Sequence, residues 1–387
     1  MSTRMWALSS SKVDRSRKLS KSGPLVGTKI LEIAGVGPGP FCAMMLADMG
    51  ATVLRVEREG APPAIPPIDP VKNLLHRGRQ TISLNLKDPE AVETVLSLVE
   101  HADVVLEGYR PGVMERLGLG PDICLERNPK IVFARMTGWG QDGPLAHRAG
   151  HDINYFAISG SLYMTGRKDE VPNPNLNMVA DMGGGGMLMA LGIVSALLEA
   201  EKSGQGQIVD ASMTEGTALL ATMIHGYRAM DRWTDDRGAN LLDSGAPFYD
   251  VYETSDGQYM AVGSIEPKFY AELMKGLEID RDNFPAQHDK SAWPEMKKTI
   301  AGIIAGRTRK EWEAVFDELD ACVTPVLTPD EAAVYPHAKA RKIFDKVADV
   351  MQPMPAPRFS RTPSKISGPP PSADTPLDQI MSEWCDR

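Results

Sequence analysis

The sequence predicts an α/β fold in which a large domain with a parallel sheet is followed by a smaller α+β domain. Its 387 residues are enough for more than one hydrophobic core. Apolar, β-branched runs alternate with helical patterns up to residue 136, which is typical of parallel strands joined by crossover helices. From about residue 247 the pattern changes to two strands followed by helices. Two domains are therefore expected in one chain.

Each element of the large domain follows from its own pattern. Short runs rich in valine, isoleucine and leucine predict strands near 28–34, 52–56, 81–84, 103–106 and 131–136. The stretch "DPEAVETVLSLVEHA" predicts an amphipathic helix, because its apolar residues share one helical face. A longer apolar helix is predicted from Gly183 to Gly204, where glycine ends it.

The smaller α+β domain is predicted over residues 245–330. The stretch "FYDVYETSDGQYMAVG" predicts two strands around a turn at Asp256 and Gly257. Helices are predicted near 267–276, 291–305 and 308–318. The proline-rich tail after residue 353 is expected to lie over a surface. Residues 1–23, rich in serine, lysine and arginine, are expected to form a disordered N-terminal extension.

The composition argues against several kinds of partner and site. The formal net charge of −9 argues against a general nucleic-acid binder. No uninterrupted apolar run reaches about 18 residues, so no membrane-spanning helix is expected. The four cysteines lie far apart without metal-binding spacing, which predicts a reducing compartment, a cytoplasmic location and no metal site.

The stretch "GVGPGPFCAMMLADMG", residues 35–50, follows the first predicted strand and has the glycines of a nucleotide-binding turn. The dinucleotide fingerprint G-x-G-x-x-G would need its third glycine at Pro40 or at Cys42, so neither register fits. Pro38 and Pro40 also lack the backbone N–H groups that would cradle a pyrophosphate. A tight turn that enters a core helix is therefore predicted here rather than a nicotinamide site.

Basic side chains cluster near the ends of the predicted strands: Arg58, Arg79, Lys87, Arg110 and Arg116. Taken singly, each would be a solvated surface charge. Several of them follow the carboxyl end of a strand, which is the edge where open parallel sheets bind ligands. A phosphorylated ligand is therefore predicted in spite of the acidic total charge.

The segment from 137 to 186 holds the densest set of reactive side chains. "AGHDINY" contains His151 and Asp152, and Asp181 lies in "VADMGGGGM". His151 could be a buried histidine bonded to the backbone, and Asp181 could simply cap a helix. Together they could instead place a histidine and a carboxylate near a helix terminus, which suits an anionic intermediate. The spacing alone leaves both interpretations open.

Several stretches in a fixed order carry a family resemblance. They are "GVGPGPFCAMMLADMGATVLRVER", "LNLKDP", "EGYRPGVMERLGLG", "ARMTGWGQDGP", "AGHDINY", "ADMGGGG" and "GSIEPKFY". From about Pro24 to Phe359 the chain resembles the α-methylacyl-CoA racemases of the family III CoA-transferase superfamily. The basic N-terminal extension and the proline-rich "APPAIPPIDP" depart from the pattern of that family.

The resemblance implies a Rossmann-like large domain that holds CoA, and an interlocked homodimer with a shared active site. The large domain would take residues 24–214 and 351–387, and linkers over 215–244 and 331–350 would join it to the small domain. No cofactor is implied, since CoA is part of the substrate. The implied CoA-binding residues are Arg58, Arg79, Leu84, Lys87, Gly108, Tyr109, Arg110 and Arg116.

The implied reaction inverts the α-carbon of 2-methylacyl-CoA thioesters, a step of lipid metabolism, by two-base proton transfer through an enolate. His151, supported by Glu266 of the partner subunit, would serve one face of the α-carbon, and Asp181 would serve the other. The backbone N–H of Asp152 would bind the thioester oxygen.

Two alternatives remain beside the racemase. One is a CoA transferase of the same superfamily that uses Asp152 as its nucleophile, and the other is a non-catalytic acyl-CoA-binding protein. The histidine before Asp152, and "SIEPKFY" where transferases of the superfamily have a glycine-rich loop, favour the racemase.

Overall fold

The computed structural model describes residues 22–60 and 68–385, which form a large α/β domain and a smaller α+β domain. The predicted extension over 1–23 lies outside the described residues except for its last two positions. Most of the proline-rich stretch at 61–70 lies outside them as well. The predicted α/β fold class is confirmed.

The large domain is built on a parallel sheet. Within the described residues its strands are β1 (Lys29–Ile33), β2 (Thr52–Arg58), β3 (Gln80–Leu84), β4 (Val104–Glu107), β5 (Val132–Thr137) and β6 (Ile208–Ser212). They lie in the order β3-β2-β1-β4-β5-β6, and every neighbouring pair is parallel. The first five lie at the predicted positions. Because β1 and β4 are neighbours, the two halves of the sheet diverge between them.

Helices cover both faces of this sheet. The α-helices of this part of the chain are α1 (Pro38–Asp48), α2 (Pro89–Val99), α3 (Val113–Arg116), α4 (Pro121–Arg127), α5 (Asp152–Ile158), α6 (Leu188–Ser203), α7 (Met213–Leu220) and α8 (Thr222–Ala229), of which α8 buries no residue. Ile30 of β1 shares one core with Leu46 of α1 and Ile193 of α6. Its neighbour Leu31 shares a second core with Leu98 of α2. Successive strand residues therefore point into separate cores, as expected of a sheet covered on both faces.

The helix predicted from Gly183 to Gly204 begins earlier and has two parts. A π-helix, Met178–Met187, runs directly into α6, and Gly204 ends α6 in the left-handed conformation with φ of 77°. The glycines allow close packing, since a Cβ atom at Gly184 would lie 2.7 Å from the backbone nitrogen of Thr217 in α7. Such wide helical turns often occur at functional sites.

Gly184→Ala should therefore destabilise the protein. The added methyl group would meet backbone atoms of α7, so we expect the free energy of unfolding to fall by about 1–3 kcal/mol. Gly226→Ala in α8 is the control, because the described residues leave open space there. It should leave stability unchanged or raise it by up to about 1 kcal/mol. Urea unfolding measures both variants, and equal losses would contradict the packing described.

Among the described residues, the helix Met178–Ser203 is long and apolar enough to cross a membrane by length and composition alone. Asp181 and the four glycines after it interrupt the apolar residues of this helix, so the length of uninterrupted apolar runs does not predict it. Its inner face packs in the core of the large domain through Met189 and Ile193. Leu191 and Leu198 on the other face are exposed. The expectation that the chain does not span a membrane stays a prediction.

The smaller domain has an antiparallel sheet and its own core. Its elements are β7 (Tyr249–Glu253), β8 (Tyr259–Gly263), α9 (Pro267–Gly276), α10 (Trp293–Ile304), α11 (Arg309–Asp317) and β9 (Val323–Pro325). The predicted turn at Asp256 and Gly257 joins β7 to β8, with Gly257 at φ of 70°. Phe248, Leu273 and Trp312 lie in the core.

Both predicted linkers contain regular structure. The stretch 215–244 includes most of α7, which packs on the π-helix of the large domain. The second stretch, 331–350, contains α13 (Pro336–Arg341) and β10 (Phe344–Val347). It begins within α12 (Pro329–Val334) and ends at the first residue of β11 (Val350–Pro353), which pairs with β10. Arg309 of α11 binds Glu331 of α12. In the structure α7 therefore packs with the large domain and α12 with the small one.

After β11 the chain returns to the large domain, and its last described helix packs into one of the cores. The amide of Lys365 donates to the carbonyl of Asp48 at the end of α1. The last helix, α14 (Leu377–Cys385), packs on α2 and buries Ile380 and Trp384. The expectation that the tail only covers a surface is wrong for α14, because these two side chains give it an apolar face.

Candidate active site

A cavity of about 350 Å³ opens at the carboxyl ends of β1 and β4, where the two halves of the sheet diverge. The loops after these strands, 35–40 and 108–111, form two of its walls, and residues between 136 and 151 form a third. Ligands of open parallel sheets bind at this position. The fold therefore places a binding site beside the "GVGPGPF" turn.

The turn after β1 approaches a carboxyl group closely. Gly37 has φ of 69°, which favours glycine, and a Cβ atom there would lie 3.4 Å from Oδ2 of Asp181. Pro38 begins α1, where the absence of its N–H leaves no helical hydrogen bond unmade. The prediction of a tight turn into a core helix is confirmed, and this turn also borders the cavity.

His151 and Asp181 both line the cavity. His151 is the N-cap residue of α5 and is exposed, so the alternative of a buried histidine is wrong. Asp181 lies in the first turn of the π-helix, where Asn177 takes the N-cap position, so Asp181 is not a capping residue. Burial raises the pKa of Asp181, and the nearby carboxylate of Asp152 raises it further. The cavity thus holds an accessible imidazole and a carboxyl group that binds its proton more tightly than an exposed aspartate does.

The Asp152 carboxylate lies beside His151 in sequence and holds the backbone at Asp181. Its Oδ1 accepts hydrogen bonds from the amides of Ala180 (3.0 Å) and Asp181 (2.7 Å) at the start of the π-helix. Asp152 is only 7% exposed, and within the described residues its Oδ2 has no hydrogen-bond partner. A carboxylate at this position satisfies helix amides that have no partner within the helix. Asp152 therefore fixes the start of the helix that carries Asp181.

The residues expected to bind CoA fall into groups. Gly108, Tyr109 and Arg110 line the cavity. Four others lie outside its lining. Arg58 and Leu84 end β2 and β3, Lys87 follows β3, and Arg116 ends α3. Arg58 and Leu84 are partners in the register of β2 and β3, so they lie side by side at the ends of these strands.

Arg79 is buried, which corrects the expectation that it borders CoA. Its guanidinium pairs with Glu32 at 2.5 Å and donates to the carbonyls of Pro40 and Leu75. Its side chain has no exposed surface. A guanidinium enclosed by protein acceptors cannot also present its paired N–H groups to a phosphate. Arg79 therefore makes its polar contacts inside the protein, with Glu32 and two backbone carbonyls.

Glu266 lies at the start of α9 in the small domain and is outside the lining of this cavity. Within one chain, the structure brings His151 and Asp181 to one cavity and leaves Glu266 elsewhere. A role for Glu266 beside His151 stays a prediction, and it requires a second copy of the chain.

Further residues that the sequence patterns missed line the cavity, among them Trp139, Arg148 and Tyr155. The rings of Trp139 and Tyr155 meet edge to face at 4.8 Å, and the Tyr155 hydroxyl donates to the carbonyl of Gly150. Gly138 makes room for this ring, since a Cβ atom there would lie 2.0 Å from it. The tryptophan between two glycines in "TGWGQ" is the sequence signal that could have identified this wall of the cavity.

The loop after β4 is held by a buried carboxylate. Glu107 accepts a hydrogen bond from the amide of Tyr109 at 2.6 Å and another from Nε of Arg135 at 3.0 Å. Burial raises the pKa of Glu107 to about 7, although both hydrogen bonds oppose that rise. Glu107 therefore fixes the backbone that presents Tyr109 and Arg110 to the cavity.

Comparison with known proteins agrees with this architecture. A family model described as CoA-transferase family III matches residues 25–375. The alpha-methylacyl-CoA racemase of Mus musculus is 48% identical over 341 residues, which is 88% of this chain and 87% of that protein. The alpha-methylacyl-CoA racemase of Homo sapiens is 46% identical over 342 residues, with the same coverage of 88% and 87%.

Solved structures support the fold. A CAIB/BAIF family protein from Brucella suis superimposes with a TM-score of 0.80 at 24% identity, over 94% of this chain and 100% of that chain. The chain therefore belongs to CoA-transferase family III, as its ordered motifs predicted.

Proposed function

We propose that this protein inverts the α-carbon of 2-methylacyl-CoA thioesters, with His151 and Asp181 as two bases that act through an enolate. The similarity to alpha-methylacyl-CoA racemases supports the reaction class. The observation that carries the mechanism is that His151 and Asp181 line one cavity, while the Asp152 carboxylate is bound to backbone amides.

The two bases suit the chemistry. Inversion next to a thioester requires removal of the α-proton on one face and return of a proton on the other. Histidine is the side chain that most often serves as a general acid or base, so its residue type suits the role of one base. Burial raises the pKa of Asp181, which favours the protonated form that must donate in one direction.

The enolate requires a hydrogen-bond donor. The amide of Asp152 lies in the first turn of α5, where helix amides have no partner within the helix. We assign it to the thioester oxygen, where one such donor contributes about 3–4 kcal/mol to the transition state. Because this role uses only the backbone, the Asp152 carboxylate stays free to hold the π-helix.

CoA is assigned to the edge of the sheet that carries Arg58, Lys87, Arg110 and Arg116. Arg58→Ala should weaken binding of a CoA ester by about 1.5–3 kcal/mol, the contribution of a charge-assisted hydrogen bond. Arg127→Ala is the control, because Arg127 pairs with Glu93 at 2.8 Å in α2 instead. Calorimetric titration with a CoA ester measures both dissociation constants. An unchanged value for Arg58→Ala would remove this residue from the site.

The active site is shared in a homodimer, in which Glu266 of the partner subunit supports His151. An exposed apolar face supports this proposal: Leu191 and Leu198 of α6 are 63% and 53% exposed. Exposed apolar patches of this kind mark protein interfaces. Light scattering should therefore give twice the chain mass of 42.1 kDa, and an active species at 42.1 kDa would contradict the shared site.

A single experiment separates the racemase from its two alternatives. One pure enantiomer of a 2-methylacyl-CoA is incubated with the protein, and the enantiomers are resolved by chiral chromatography. A racemase produces the second enantiomer without any acceptor acid. A transferase leaves the configuration unchanged and forms an Asp152 anhydride that hydroxylamine traps. A binding protein leaves the configuration unchanged and forms no anhydride.

The proposal also covers the cofactor requirement and the cellular location of the protein. The proposed reaction moves only protons, so we propose that it needs no cofactor besides the CoA of its substrate. We also propose a reducing, cytoplasmic location. Its support is that Cys42 and Cys124 are buried as thiols.

A further inference from the structure

A buried network of charges lies next to the turn that borders Asp181. Glu32 pairs with the guanidiniums of Arg55 and Arg79, each at 2.5 Å. The side chains of all three have at most 5% of their surface exposed. Arg55 also pairs with Glu57 at 2.5 Å, so two positive charges meet two negative ones. Removing one partner from a buried network of charges is strongly destabilising. Nε of Arg79 has no hydrogen-bond partner among the described residues.

The two guanidiniums hold the ends of the 35–40 turn. Arg55 donates to the carbonyl of Gly35 at 3.0 Å, and Arg79 donates to the carbonyl of Pro40. Pro38 and Pro40 have no N–H group, so the turn can form fewer hydrogen bonds of its own. Side chains from β2 and from the start of β3 therefore fix its position.

The same turn lies next to the Asp181 side chain and to the π-helix that carries it. A Cβ atom at Gly37 would lie 3.4 Å from Oδ2 of Asp181. One turn further along the π-helix, a Cβ atom at Gly186 would lie 2.9 Å from the carbonyl oxygen of Pro38. Since neither glycine has a side chain, the turn can lie close to Asp181 and pack against the π-helix. A shift of the turn would therefore change the surroundings of the carboxyl group.

We propose that Glu32, Arg55 and Arg79 form a buried clamp that positions the 35–40 turn against the Asp181 carboxyl. Arg79 is then a positioning residue of the active site and not a ligand of CoA. This inference rests on the proposed racemase function, because the exact place of Asp181 matters only if it transfers a proton. Groups that transfer protons must be held close to their productive geometry by supporting side chains.

Arg79→Lys in the full chain tests the clamp. Lysine keeps the positive charge but lacks the planar fork that reaches Glu32 and the Pro40 carbonyl together. Arg77→Lys is the matched control. Arg77 is also buried, with 4% of its side chain exposed; it pairs with Asp48 at 2.6 Å and donates to the carbonyl of Pro353 at 2.9 Å.

The clamp predicts a difference between these two variants. Arg79→Lys should lower kcat for racemisation at least about tenfold while KM for the CoA ester stays within about twofold. Hydrogen exchange of the amides in peptide 35–41 should become faster, since exchange reports local opening. Arg77→Lys should lower the thermal midpoint to a similar extent, and leave both kcat and the exchange of that peptide as in the parent protein.

Several outcomes would overturn the clamp: an equal kcat in both variants, a rise in KM that matches the loss of kcat, or unchanged exchange of peptide 35–41. If Arg79→Lys does not fold, Arg55→Lys at the other end of the turn must give the same result, a lower kcat with a nearly unchanged KM. If the parent protein does not racemise 2-methylacyl-CoA, the proposed function fails. Amide exchange of the turn, which needs no substrate, then decides whether the clamp holds it.

Discussion

Asp181→Asn and His151→Gln should each lower the rate of racemisation by about 10²–10⁴-fold in both directions. Every turnover needs one group to take the α-proton and the other to return a proton, so losing either blocks both directions. Asparagine keeps the shape of the Asp181 side chain, and the Asp181 amide remains bound to Asp152. The measurement is the initial rate of epimer formation from each enantiomer.

Matched controls change the same residue types away from the cavity. His101→Gln and Asp210→Asn should keep the parent rates, since His101 is exposed and Asp210 accepts a hydrogen bond from the Gln141 amide at 3.1 Å. Exchange of the α-proton should survive in the single variants on the face whose base remains. Parent rates of racemisation in Asp181→Asn and His151→Gln would exclude the two-base mechanism.

Asp152→Ala should destabilise the protein far more than Asp152→Asn. Alanine leaves the amides of Ala180 and Asp181 without their acceptor, at a cost of about 1–3 kcal/mol for each buried amide. The side-chain oxygen of asparagine can still accept both hydrogen bonds. Urea unfolding compares the two variants, and equal stabilities would mean that these hydrogen bonds do not hold the π-helix.

Asp152→Asn also separates the racemase from the transferase. A transferase would lose its nucleophile and with it essentially all turnover, whereas racemisation should stay within about tenfold of the parent rate. The negative charge of Asp152 raises the pKa of Asp181, so its removal should lower that pKa. In the direction that uses Asp181 as the acid, the rate should then fall at a lower pH than in the parent. His151 and Asn177, which also face this carboxyl group, are unchanged in the variant.

Local patterns predicted the parts of the fold that neighbouring residues determine. The strands Lys29–Ile33 and Val132–Thr137 are mostly apolar because a parallel sheet buries them on both faces. The turn at Gly37 is also a local feature, because glycine tolerates a positive φ and proline favours the first position of a helix. His151 and Asp181 were candidates by residue type, but only the fold brings them to one cavity.

Local patterns did not predict the features that depend on contacts between residues distant in sequence. Residue type and place in the sequence do not distinguish Arg79 from the exposed Arg58 and Arg110, yet it binds Glu32, which lies 47 positions earlier. Trp384 belongs to a tail that composition alone makes look irregular, and it packs against a helix near the start of the chain. Helical periodicity cannot reveal a π-helix that depends on Asp152 and on the close approach of α7.

The most direct test of the two-base mechanism follows deuterium during the first turnovers. One pure enantiomer of a 2-methylacyl-CoA is incubated in deuterated water, and both enantiomers are recovered early and analysed by mass spectrometry. Two groups on opposite faces predict that the first inverted product carries solvent deuterium at the α-carbon, while the recovered starting enantiomer is still protonated. Deuterium that enters the starting enantiomer as fast as the product, or product that retains the original proton, would contradict the mechanism.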